Sequence, residues 1–317
     1  MNARGGILLV VALQFALAAA QPAIAAQARA SGLLSSAPTR VNRIGQIVVP
    51  VMIDGKGPFR FLVDTGANGS MVSPRLVKAL GLVPVPGSPE RVEGVTGTEP
   101  LPWVLIRRLR VGRIVKTDVP MPISPSPIMT RLDGILGMAG FGPVRIAVNF
   151  RHNRVSIDRS SRGMLWGFLD IPAQRTPGGL LMIPAHVAGI AVEAVIDTGS
   201  PDTLGNPALR RALLAERNVG PPRPIYGVTR QVSTGAMALA PTLILGPAAI
   251  EHLPIVYSDV PIFREWHLES RPAVILGMDV LGAMDSLVLD YPRARVYILP
   301  APPPVSMADA RLPVPGS

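Results

Sequence analysis

Two aspartates stand out by what surrounds them. Asp64 follows the apolar run Phe61-Leu62-Val63 and precedes Thr65-Gly66-Ala67, and Asp197 follows Ala194-Val195-Ile196 and precedes Thr198-Gly199-Ser200. A carboxylate leaving a core-like strand sits where burial penalises its charge. One such D-T-G has an ordinary reading as an Asx-type turn. Two of them, brought face to face by an internal two-fold axis, would do chemistry. Carboxylates that close cannot both ionise cheaply and share one proton. The ionised member then draws a proton from a bound water while the protonated member polarises a carbonyl. That is general acid–base hydrolysis of an amide, without metal or covalent intermediate. Gly66 and Gly199 leave room for another group to approach closely.

The chain supports the axis, because it repeats itself. Pro74 and Pro207 follow their aspartates at equal distance, and each opens the same pattern: Leu76, Ala79, Leu80 in one copy, Leu209, Ala212, Leu213 in the other. Gly94-Val95-Thr96 matches Gly227-Val228-Thr229, and Ile135-Leu136-Gly137-Met138 matches Ile275-Leu276-Gly277-Met278. The stretch from Asn149-Phe150 to Ile157 matches that from Asp290-Tyr291 to Ile298 at identical length. So many matches in one order mean duplication.

Each copy reads as mostly β. Ile47–Ile53 and Phe59–Val63 flank a turn at Asp54 to Gly57; Leu180–Val187 and Ile190–Ile196 flank Ala188-Gly189. These are hairpins by their turn chemistry. A short helix follows each D-T-G, with Ser73 and Asn206 as N-caps, the prolines at the first helical position and Gly81 ending the first helix. Short β runs follow, and Pro120 to Pro127 reads as a rigid surface loop. The expected organisation is an export signal over residues 1–30, one lobe over 41–159, a linker over 160–179, a second lobe over 180–299 and a Pro-rich tail over 300–317.

With the paired D-T-G loops, a Gly-rich hairpin after each, and I-L-G before a hydrophobic strand, the sequence resembles the retropepsin-like aspartic peptidases. That clan includes pepsin and the retroviral proteases. The likeness runs from Val41 to Leu299, closest in look to exported bacterial proteins with two such units in one chain. It implies an all-β fold of two pseudo-symmetric barrel lobes with the cleft between them. It also implies Asp64 and Asp197 as catalytic dyad, Thr65 and Thr198 bonding across the axis, and Gly66 and Gly199 lining the cleft floor. Gly94, Val95, Thr96 and Gly97, with Gly227, Val228, Thr229 and Arg230, would sit near the tips of two flaps. Ile135 to Gly137 and Ile275 to Gly277 would pack behind the active loops. The copies differ at Met138-Ala139 against Met278-Asp279. The first flap lacks the Tyr of pepsin-type enzymes, which favours the symmetrical two-flap arrangement; Tyr226 lies in the second. Asn68-Gly69-Ser70 has the form of a glycosylation sequon, but a glycan there would obstruct the cleft, so it reads as a polar turn.

Composition narrows the field further. The 317 residues suit two modest domains, and the absence of Cys excludes disulfides, thiolate zinc sites, Cys nucleophiles and a lipoprotein anchor. The four histidines (His152, His186, His252, His267) include no HxxxH pair, so neither metal nor other cofactor is expected. The net charge of +10 is carried almost wholly by arginine, with only Lys56, Lys78 and Lys116 as lysines. The clusters Arg107, Arg108, Arg110, Arg113 and Arg151, Arg154, Arg159, Arg162 hold almost no aromatic platforms, which argues against nucleic acid. They read mainly as solvated faces, with association to an anionic envelope surface as the functional reading. Arg4, the apolar stretch Ile7–Ala20 and the A-x-A sites ending at Ala25 and Ala30 form an export signal too short to span a membrane. The expectation is a periplasmic or secreted bacterial endopeptidase acting on peptides or proteins as a monomer. A catalytically silent peptide-binding protein of the same fold is the alternative. An envelope-associated structural protein would explain the charge but not the duplicated D-T-G.

Overall fold

The computed structural model describes residues 33–38, 40–41, 46–87, 89–138, 144–160, 165–213 and 219–301. The expected signal (1–30) and the tail from residue 302 lie outside them. Among the described residues, no helix is long and apolar enough to cross a membrane.

The first copy opens on a hairpin of β1 (Ile47–Ile53) and β2 (Lys56–Asp64). Its turn residues Asp54 and Gly55 have φ of 49° and 82°, left-handed at both positions, as the right-handed twist of paired strands requires. Ile47, Val49, Val51 and Ile53 face the core on one side of β1. After the short strand Met71–Val72 comes α1 (Pro74–Leu80). The Ser73 hydroxyl caps it by accepting from Leu76 N–H at 3.1 Å, and Gly81 ends it at φ 65°. A separate two-stranded hairpin follows, β3 (Glu90–Gly94) with β4 (Gly97–Leu101), then β5 (Trp103–Val111) and β6 (Ile114–Pro122). The chain returns as β7 (Gly134–Gly137), parallel to β2, with Gly137 opposite Asp64. The hairpin β8 (Val144–Asn149) and β9 (Arg154–Arg159) and the strand β10 (Leu169–Pro172) come next.

The second copy retraces this path. β11 (Leu181–Val187) and β12 (Ile190–Ile196) turn through Ala188 and Gly189, at φ 48° and 83°. Asn206 caps α2 (Pro207–Ala212), accepting from Leu209 N–H at 2.8 Å. Then come β13 (Pro222–Tyr226), β14 (Val232–Leu245), β15 (Ala248–Tyr257) and α3 (Ile262–Glu265). β16 (Ala273–Leu276) runs parallel to β12 and leads to α4 (Met278–Leu281), β17 (Met284–Asp290) and β18 (Arg295–Pro300). β14 curls back to pair His186 and Val187 of β11, nearly closing the sheet into a barrel. The fold is mainly β with short helices and two pseudo-symmetric halves, the class expected from the duplication.

The halves are joined more closely than a linker would join them. A third sheet runs Leu33–Pro38, β9, β8, β17, β18, β10, so the last hairpin of one copy pairs directly with that of the other, from Arg145↔Asp290 to Asn149↔Ser286. The segment read as a linker supplies β10, which pairs β18, and the strand Gln174–Arg175, which pairs β11. One hydrophobic cluster takes in residues of both copies, from Ile47 to Ile298. The Pro120–Pro127 stretch is not a surface loop either. Pro120 and Pro122 end β6, and Ser124 and Ser126 are buried.

Candidate active site

Asp64 ends β2 and Asp197 follows β12, so each carboxyl is held where a buried strand gives way to a turn. Val63 and Ile196 anchor the strand ends in the core, each 1% exposed. In each loop the glycine N–H donates back to the aspartate: Gly66 to Asp64 Oδ1 and Gly199 to Asp197 Oδ1, both at 2.8 Å. The loops face one another. A β-carbon on Gly199 would lie 2.4 Å from the carboxyl carbon of Asp64, so the glycine of one copy supports the carboxyl of the other.

The threonines lock this arrangement. Thr65 Oγ1 accepts from Thr198 N–H at 3.0 Å and donates to the Ile196 carbonyl at 3.1 Å. Thr198 Oγ1 accepts from Thr65 N–H at 3.1 Å and donates to the Val63 carbonyl at 2.8 Å. Both side chains are buried, so four polar groups that would be costly to orphan are satisfied only across the axis. Behind the loops, Met138 N–H donates to the Ala67 carbonyl and Met278 N–H to the Ser200 carbonyl, which ties each I-L-G strand to its loop.

Above the dyad two hairpins close on each other. Val95 and Thr96 form the turn between β3 and β4, and Gly227 to Gln231 join β13 to β14. The hydroxyls of Thr96 and Thr229 lie 3.3 Å apart and buried. Each tip reaches past the axis: Val95 packs on an apolar cluster of the second lobe and Val228 on one of the first. Gly94 and Gly227 give these tips room, because β-carbons there would fall 2.9 Å from Val228 Cγ2 and 2.7 Å from Thr96 Oγ1. Gly97 abuts the Gln231 side chain, which donates to the Thr98 carbonyl at 3.2 Å, and Arg230 pairs with Glu99. Beneath the tips lies a cleft of about 1610 Å³ that includes both aspartates.

A family model described as aspartyl protease matches the chain in two segments, residues 49–139 and 183–280. Each segment holds one D-T-G loop with its hairpin and its I-L-G strand. The chain belongs to the aspartyl protease family. Its two matches in one chain fit the retropepsin-like, two-lobed form of the fold. No curated protein matches the sequence.

Burial is the first influence on both aspartates of this aspartyl protease family member. Asp64 is pushed well above the usual carboxylate range, first by burial, then by the charge of Asp197 and by a hydrogen bond to it. Burial raises Asp197 too, but N–H donors at Gly199, Ser200 and Gly66 and the bond from Asp64 favour its ionised form. N–H donors at Gly66 and Ala67 act on Asp64 in the same sense, so both carboxyls are raised by burial and the pair titrates as a unit that shares one proton. Tyr291, whose hydroxyl is buried, has its ionisation pushed upward by burial and by both aspartates, so a neutral phenol lies within electrostatic reach. Among the described residues, no group of three His, Asp or Glu is placed to hold a metal.

Several supporting residues escaped the sequence reading. The Gln46 amide donates to the Gly199 carbonyl from a buried position. Ser124 and Ser126 donate to the carbonyls of Val228 and Gly227, at 2.6 and 2.5 Å, holding the second flap from the first lobe. Their proline-rich setting gave no sign of this. Asp279, which the first copy lacks, braces Thr203. Its carboxylate accepts from the N–H of Thr203 at 2.9 Å and from its hydroxyl at 2.7 Å, and Thr203 Oγ1 in turn accepts from Gly277 N–H at 3.2 Å. In the first lobe Ser70 Oγ accepts from Gly137 N–H at 3.2 Å. Ala139, the counterpart of Asp279, lies outside the described residues, and a methyl side chain has no oxygen for such a brace.

Proposed function

We propose that the protein is an endopeptidase that hydrolyses peptide bonds in polypeptides lying extended beneath the two flaps. The observation that carries this reading is the facing pair Asp64–Asp197, the first buried and the second half-buried, tied across the axis by the Thr65 and Thr198 bonds on the floor of a cleft long enough for several residues. In the reaction, the ionised carboxyl of the pair takes a proton from a water between the two while the protonated one gives its proton to the scissile carbonyl oxygen. The resulting gem-diol collapses as the amide nitrogen is protonated from the dyad, and the pair returns to its singly protonated state. The threonine bonds hold the carboxyls at fixed separation through these transfers, which avoids reorganisation during the reaction. The flaps must part for entry, because their tips meet over the cleft.

The N-terminal charge and hydropathy pattern supports action outside the cytoplasm, and a monomer suffices because one chain supplies both halves of the site. The purified protein incubated with unfolded protein substrates, with products mapped by mass spectrometry, tests the proposal. Cleavage that disappears in both Asp64→Asn and Asp197→Asn and survives EDTA is the expected result. Peptide binding without cleavage under any pH between 3 and 8 would instead establish the silent binding protein.

A further inference from the structure

One duplicated position differs in charge between the two copies, and in the first copy it lines the cleft. Arg60 on β2 corresponds to Glu193 on β12: Gly134 pairs Phe61 as Val274 pairs Ala194, one residue beyond each. In the second lobe Glu193 is neutralised by Arg271 at 3.9 Å. In the first lobe the nearby acid is Asp133, and it is already committed. Arg75 takes its Oδ1 at 2.7 Å, and the backbone N–H of Arg60 takes its Oδ2 at 2.8 Å. The guanidinium groups of Arg60 and Arg131 are exposed and have no partner among the described residues, and both line the cleft. Asp133 N–H donates to the Arg60 carbonyl at 2.9 Å, so the segments bearing the two arginines lie side by side. Just inside them the wall turns apolar, with Leu62, Leu132 and Ile135 all buried. The lining also includes Glu90, Arg91 and Glu93 of β3 and, from the second lobe, Asp202, Arg223 and Glu265.

We propose that Arg60 and Arg131 form a carboxylate subsite that selects the substrate. It takes an acidic group lying beyond the apolar residue that fills the Leu62–Leu132–Ile135 wall. This rests on the reading of the cleft as a peptide site and names the substrate class within it: polypeptides with an apolar pair at the scissile bond and a carboxylate to one side. Planar guanidinium groups suit the task, because they hold a carboxylate through paired N–H donors. A single exposed ion pair contributes little, so the selection rests on two arginines sharing one carboxylate, which adds geometric fit to charge. The carboxylate could belong to a Glu or Asp side chain or to a chain terminus.

The test is a set of peptides with one fixed apolar pair and Glu, Gln or Lys at successive positions on either side. Each is made with a free C-terminus and with an amide. On one side only, Glu peptides should exceed their Gln counterparts about tenfold or more in kcat/KM at low salt, and the gap should narrow as salt rises. Arg60→Gln with Arg131→Gln should bring Glu peptides down to the Gln level, and Arg60→Glu should favour Lys at the same position. Dependence on the free C-terminus rather than on Glu would assign the subsite to a chain end. Equal rates for Glu and Gln in the wild type, or a preference that persists in the double variant, would overturn the proposal. If no peptide is cleaved, hydrolysis fails as the function, and anisotropy of labelled peptides decides the subsite separately. Tighter binding of Glu than Gln peptides upholds it; equal or absent binding overturns it.

Discussion

Gly66 lies so close to Asp197 that a β-carbon on it would sit 2.4 Å from the Asp197 carboxyl carbon. The mirror contact joins Gly199 to Asp64. Gly66→Ala and Gly199→Ala should therefore each displace the carboxyl of the opposite lobe. We expect loss of any peptidase activity and destabilisation of about 1–3 kcal/mol from overpacking at a site with no room to relax. Activity assays paired with denaturant melts check this. A fully active alanine variant would mean that the loops do not meet.

The pH dependence follows from the dyad. Asp64 has a folded-state pKa well above its ordinary value of 3.8, so the native protein binds a proton that the unfolded chain releases more readily. The stability contributed by that proton is fully present below about pH 3.8 and is lost as pH rises through the raised folded value. Asp64→Asn should remove this loss, so its melting temperature should gain on the wild type as pH rises from 4 to 7. Hydrolysis should decline over the range in which the pair loses its shared proton. Parallel pH profiles of melting for both proteins would sink the idea.

Thr65→Val and Thr198→Val keep shape and remove hydroxyls that each satisfy two backbone groups across the axis. Each should cost about 1–3 kcal/mol by leaving a buried N–H and carbonyl unpaired. Because both act at one contact, the double variant should be non-additive by more than about 0.5 kcal/mol. A double-mutant cycle measures the coupling, and simple summation would mean independent lobes.

Asp279→Ala should act within one lobe. It orphans the N–H and hydroxyl of Thr203, which is fully buried, at a cost of about 1–3 kcal/mol. Hydrogen exchange should quicken around Thr203 and Gly277, with the Ser70–Gly137 contact of the first lobe unaffected. Equal quickening in both lobes would contradict a local brace.

What the chain reveals unaided is whatever repeats or obeys short-range rules. The D-T-G loops, the two left-handed turns at Asp54-Gly55 and Ala188-Gly189, and the caps at Ser73 and Asn206 are local. Turn and cap chemistry is settled within a few residues, so these were legible. Duplication supplied the one long-range inference, since equal spacing of equal motifs implies an axis. The rest depends on partners distant in sequence. β8 pairing with β17, the tips of the flaps exchanging pockets, and Ser124 and Ser126 holding Gly227 and Val228 leave no periodic trace. The same holds for charge. Arg60 reads as one arginine among many until the fold shows that Asp133 is already engaged and that Glu193, at the matching position, is neutralised by Arg271. A hydrogen bond or an ion pair constrains two residues in space and leaves the sequence between them free, so only the tertiary structure decides which polar groups remain unspent in the cleft.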